Sequence, residues 1–86
     1  MKISRKMVAG KIAGYLRHKI DLEELVDWAE RAMMDSDFDE ADLENIRNAV
    51  ARLGVADVRE FGLMWEDCET MLRELGYRVD LKIVAA

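Results

Sequence analysis

The apolar positions of this chain change period along its length, and the changes mark out its elements. Between residues 21 and 34 they fall at Leu22, Leu25, Val26, Ala29, Ala32 and Met33, steps of three and four that line one side of a helix. Glu23, Asp27, Glu30 and Arg31 occupy the other side. Asp21 is placed to cap this helix, Glu24 follows three residues on, and Ile20 with Leu25 is spaced as a hydrophobic staple. Trp28 lies at the edge of the stripe, the place of a core-boundary anchor.

The same reading predicts three more helices. The first spans about residues 5–18, capped by Ser4, with Val8, Ile12, Tyr15 and Leu16 inward and Ile3 and Val8 as its staple. Gly10 and Gly14 lie within it, and in a water-soluble helix each mainly weakens it by about 1 kcal/mol. His18 falls in its last turn, where an imidazolium interacts favourably with the helix dipole. Residues 19–21 alone separate this helix from the next, so the pair folds back as an antiparallel hairpin. A third helix covers about residues 40–53, with Asp39 as cap, Phe38 and Leu43 as staple, Leu43, Ile46, Val50 and Leu53 inward, and Gly54 as stop. Residues 55–63 read either as a single turn that plugs Val58 and Phe61 into the core or as a short strand. A fourth helix covers about residues 65–75, with Trp65, Cys68, Met71, Leu72 and Leu75 on the core side and Gly76 ending it. Met64 stands where a capping Ser or Thr is expected, so this helix begins without one.

Over residues 77–84 the period drops to two. Tyr77, Val79, Leu81 and Ile83 alternate with Arg78, Asp80 and Lys82, the pattern of a half-buried strand. A lone strand leaves its backbone groups unpaired. Its partner is residues 55–61, the same segment of a second copy, or another protein's sheet edge; otherwise it packs as an extended tail on the helices. The predicted fold class is therefore all-α: a four-helix domain that begins with an antiparallel helical hairpin and ends in a short strand-like tail.

Composition narrows this picture. Half of the 86 residues are apolar and 36% are charged, which suits one compact domain rather than a disordered chain. The single cysteine allows no intramolecular disulfide, and no apolar run approaches the roughly 20 residues of a membrane span. A cytoplasmic protein without membrane contact is expected.

Charge changes it more. The net charge of -5 conceals a segregation: residues 1–20 carry Lys2, Arg5, Lys6, Lys11, Arg17 and Lys19 and no acid, whereas residues 21–44 carry eleven acids against Arg31 alone. Either the two blocks neutralise each other across the hairpin, or the acidic block forms a face that steers a basic partner.

Candidate chemistry concentrates in residues 35–42. Aspartates at alternate positions between two helices have the opening pattern of an EF-hand loop. Counting from Asp35 breaks the match: Glu40 takes the place of the turn glycine, and Ile46 that of the bidentate glutamate. The same residues serve as helix caps and dipole partners, so no metal or cofactor is expected. Asn45, Asn48 and Arg52 on the outside of the third helix are types that read bases, so a helix-turn-helix nucleic-acid binder with this recognition helix is a further alternative, but the acidic stretch before them repels phosphate, which argues against nucleic acid. His18 has no second histidine or cysteine beside it, Cys68 falls in an apolar stripe, and no glycine-rich phosphate loop is present; no catalytic residue is assigned.

Two contact surfaces follow. The first is an acidic protein-binding surface centred on Asp35, Asp37, Asp39, Glu40 and Asp42. The second is a self-association surface at Tyr77, Val79, Leu81 and Ile83, which would make a homodimer.

The pairing of ISRKMVAGKIAGYL with DLEELVDWAERAMM, followed by an acidic linker and GLMWEDCETMLRELGY, resembles a group of small uncharacterised bacterial proteins. Their make-up is similar to that of helical immunity proteins and antitoxins, which bind basic toxins through acidic surfaces. The resemblance spans most of the chain and rests on helix pattern. It implies a bacterial, non-enzymatic binding protein and no particular site residue.

Overall fold

Four helices and one small parallel sheet build the protein. The computed structural model describes residues 2–58, 61–80 and 82–85, with Asp35 described by its backbone alone. In chain order the elements are β1 (Lys2–Ile3), α1 (Arg5–Leu16), α2 (Leu22–Asp35), β2 (Asp37–Phe38), a 3-10 turn (Glu40–Asp42), α3 (Leu43–Gly54) and α4 (Trp65–Glu74).

The predicted caps form, and the starts of α1 and α2 fall where they are expected. Ser4 Oγ accepts from Met7 N–H at 3.2 Å, Asp21 Oδ1 from Glu24 N–H at 2.8 Å, and Asp39 Oδ1 from Ala41 N–H at 3.1 Å. Each bond satisfies a donor that the first turn of a helix leaves without a partner. Asp39 opens the 3-10 turn, and α3 itself begins at Leu43 rather than near residue 40. At α4 the missing cap is supplied from within: Met64 N–H donates to Asp67 Oδ2 at 2.9 Å, the reciprocal arm of a capping box.

The helix ends depart further from expectation. α1 stops at Leu16, and His18 adopts the left-handed conformation with φ 61° instead of continuing the helix. His18 N–H donates to Tyr15 C=O at 3.1 Å and Lys19 N–H to Gly14 C=O at 2.8 Å, the two bonds of a Schellman motif. α4 ends the same way at Gly76, φ 92°, with Gly76 N–H on Arg73 C=O and Tyr77 N–H on Leu72 C=O. Gly54 was expected to be such a stop; it is instead the last residue of α3.

The hairpin of α1 and α2 is closed by an element that periodicity did not reveal. β1 leads directly into α1, β2 leaves directly from α2, and the two pair in parallel with Lys2 opposite Asp37 and Ile3 opposite Phe38. That pairing sets the start of α1 beside the end of α2, as an antiparallel hairpin requires. Asp39 N–H extends the ladder to Ile3 C=O at 2.9 Å. Ile3 is fully buried and Phe38 packs against the core, so the clasp has an apolar underside.

The core runs through all four helices. α2 and α3 make the most extensive contact, α1 touches α2, α3 and α4, and α4 packs chiefly on α1. Leu25, Ala29, Ile46, Val50 and Leu53 are buried between α2 and α3; Val8 and Ile12 join them from α1, and Cys68, Met71, Leu72 and Leu75 from α4.

Several residues expected inside are not. Met33 and Leu43 are 43% and 39% exposed, because each lies at the end of its helix facing the connector. Val58 and Phe61 are 39% and 58% exposed; the turn after α3 buries Ala56 instead. Trp65, in the first turn of α4, is 40% exposed and borders an open groove. Residues 77–80 and 82–85 adopt no regular secondary structure and join no ladder with the described residues. The small sheet lies at the other end of the chain, in β1 and β2. Val79 packs on the core, Ile83 and Val84 are exposed, and Leu81 lies outside the described residues.

Candidate functional site

The acidic connector between α2 and α3 is shaped by the clasp. Pairing of β2 with β1 ties down the backbone of Asp37 and Phe38. Phe38 turns toward the core, which leaves Asp37 exposed on the outer side, in keeping with the alternation of a strand. The Asp39 cap and the 3-10 turn then place Glu40 in solvent and Asp42 half-buried. Asp35 belongs to the same stretch, but its side chain lies outside the described residues.

Neutralisation by the basic N-terminal block is limited. Among the described residues one ion pair joins the two blocks, Arg5 Nη1 to Asp42 Oδ2 at 3.8 Å, and both side chains are partly solvated. Arg5 also lies 6.0 Å from the ring centroid of Tyr77, so one guanidinium spans the connector and the chain after α4. Lys11 stands 5.6 Å over the ring of Trp28, a cation–π contact rather than an ion pair. Asp37, Asp39 and Glu40 have no ion-pair partner among the described residues. In the same stretch of chain Met34 is 81% exposed, and Met33 and Leu43 are the partly exposed residues noted above. Residues 33–43 therefore expose apolar side chains and carboxylates within one short stretch of chain. Surfaces that bind other proteins combine these features.

Among the described residues no three His, Cys, Asp or Glu side chains converge as a metal-binding group. His18 is exposed at its turn. Cys68 is fully buried in α4, and burial, reinforced by the Asp67 carboxylate and opposed by the Arg52 guanidinium, pushes its thiol up to about 11. Such a thiol stays protonated near neutral pH and behaves as a small apolar side chain.

Of the base-reading types on α3, Arg52 is already engaged. Its guanidinium donates to Gly62 C=O at 3.0 Å and pairs with Asp67 at 3.3 Å, bracing the turn before α4. Asn45 is half-buried and Asn48 exposed. No described helix is long and apolar enough to cross a membrane.

The tail residues chosen for self-association separate into two groups. Tyr77 and Val79 lie against the body of the protein, whereas Ile83 projects away from it at 84% exposure. Tyr77 and Val79 there form part of a groove between α1 and α4, together with Lys6, Gly10, Ala13, Arg17 and Trp65. Sequence reasoning missed this groove. Its signal was present in α1, whose apolar residues Val8, Ala9, Ile12, Ala13 and Leu16 spread over more of the circumference than one core stripe needs.

The fold and surface thus define a helical domain with a β clasp and an acidic connector. No family model, curated protein or solved structure matches the chain.

Proposed function

We propose that this protein is a small non-enzymatic binding module that engages a basic protein through the connector between α2 and α3, in the manner of immunity proteins and antitoxins. The observation that carries this reading is that residues 33–43 expose Met33, Met34 and Leu43 within a few residues of Asp37, Asp39 and Glu40, carboxylates with no ion-pair partner among the described residues. The carboxylates steer and orient a cationic partner, and the exposed apolar side chains supply area to be dehydrated on contact. Asp42 is partly engaged by Arg5 and Asp35 precedes the clasp, so both flank the surface.

The test is affinity capture from a lysate of the source organism with the parent and an Asp37→Lys, Asp39→Lys variant, followed by identification of retained proteins and association kinetics. One basic protein held by the parent, and bound by the variant with a slower on-rate and a flatter salt dependence, supports the reading. Equal on-rates for the two forms contradict it.

A second reading, self-association through the tail, draws on the exposure of Ile83 and Val84. Removal of residues 82–86 leaves Val79 in place and converts a dimer to a monomer on that reading. A full-length chain that sediments as a monomer excludes it.

A further inference from the structure

Along the flank where α1 meets α4 and residues 77–80, an open groove of about 550 Å³ runs beside α1. Its apolar lining includes Ala9, Gly10, Ala13, Leu16 and Leu72, with the aromatic rings of Trp65 and Tyr77 at its sides. Lys6 stands near one end of this stretch of α1 and Arg17 at the other, and both are exposed. Neither is ion-paired among the described residues, whereas Arg78 at the mouth is held by Asp80 at 3.5 Å.

Gly10, like Gly54 at the end of α3, has no neighbour that requires its small size, and of the two it is Gly10 that lines the groove. Gly10 sits inside α1, where glycine weakens a helix. A Cβ built on it meets nothing within 4 Å, so no neighbour in the described structure requires its small size. Gly14 differs, since a Cβ there makes ordinary contact with Ile20 at 3.7 Å. A missing side chain on an open apolar floor lets a backbone from outside approach α1 closely.

We infer that this groove is a docking site for an acidic amphipathic helix of another protein, seated against Gly10 with its carboxylates toward Lys6 and Arg17. The cations select the sign of the occupant. They also exclude α1 of a second copy, which would bring the same Lys6 and Arg17 against this face. From Lys6 to Arg17 the helix rises about 16 Å, a span matched by three turns of a docked helix. No assigned strand lines the described groove, and the aliphatic and aromatic lining suits apolar residues at helical spacing. This site is distinct from the acidic connector and calls for a partner of opposite charge.

The test is selection from a phage-displayed library of 16-residue helical peptides on the full chain, with affinities measured on the parent, Lys6→Glu/Arg17→Glu and Gly10→Leu proteins. Unfolding midpoints at or above that of the parent verify that the variants fold. The expected winners carry apolar residues three and four apart and Asp or Glu toward both ends. They bind the charge-reversed protein at least tenfold more weakly and lose measurable binding to Gly10→Leu, whose added side chain fills the floor. Basic or uncharged winners, winners that bind Gly10→Leu as well as the parent, or no winner at all overturn the inference. So does displacement of the winners by a fluorescent long-chain fatty acid at lower concentration, which would mark the groove as a lipid site.

Discussion

The contact of α2 with α3 and the contact of α1 with α4 use the same kinds of residue, yet one is closed and the other is open. Between α2 and α3, Leu25, Ala29, Ile46, Val50 and Leu53 are at most fractionally exposed, and each helix has a single apolar face. Between α1 and α4, Leu72 is buried on one side and borders the groove on the other, Trp65 is 40% exposed, and Gly10 faces empty space. A closed contact reports what the fold needs. An open one reports what the fold alone does not need, and there a binding role is the economical explanation.

The largest effect that sharpens this contrast is on core truncation. Leu53→Ala removes a side chain with no route for solvent to refill the space and is expected to lower stability by about 3 kcal/mol. Leu72→Ala, beside the groove, is expected to lose about 2 kcal/mol, because water reaches the vacated volume. Urea unfolding of both variants checks the order; equal losses would mean that the groove side is as closed as the other.

Cys68 gives the next effect, on pH. Its thiol titrates near 11 in the folded protein against 9.0 unperturbed. Above pH 9 the unfolded chain therefore releases a proton that the folded protein retains, so stability is full below that pH and falls as pH rises toward 11. The loss is on the order of 2 kcal/mol and is absent from Cys68→Ala, which isolates it from other alkaline effects. An unfolding free energy measured at pH 8 and pH 10.5 on both proteins decides the point.

A smaller effect belongs to the end of α4. Gly76 holds φ 92°, and a Cβ there lies 2.8 Å from Arg5 Nη1, the far end of a flexible side chain that can swing aside. The strain that remains is in the backbone, so Gly76→Ala is expected to destabilise by about 1 kcal/mol. Guanidinium unfolding measures it, and the result stands opposite in sign to the expectation for Gly10.

What was legible in the chain follows the same division. Ser4 and Asp21 announced their helices, and Asp39 the 3-10 turn that leads into α3, because capping depends on two or three adjacent residues, and the stripes of α2 and α3 announced the closed contact because period and burial agree there. β1 and β2 were illegible. Two residues are too few to show a period, and the pairing of Lys2 with Asp37 bridges a separation that only tertiary packing brings together. His18 hid the end of α1, since a left-handed stop is expected of glycine or asparagine. The alternation after residue 76 suggested a strand, but Val79 found its partner in the core rather than in a ladder. The acidic connector was visible as charge, while the exposure of Met34 and Leu43 on either side of it needed the fold to show it.

The openness of the α1 flank is the claim on which this division rests, and the unfolding free energy of Gly10→Ala measures it most directly. If Gly10 faces open space, alanine supplies helix propensity without a clash, and stability rises by about 1 kcal/mol. A loss of stability would show that the fold itself packs against Gly10, and the groove would cease to be a vacant surface.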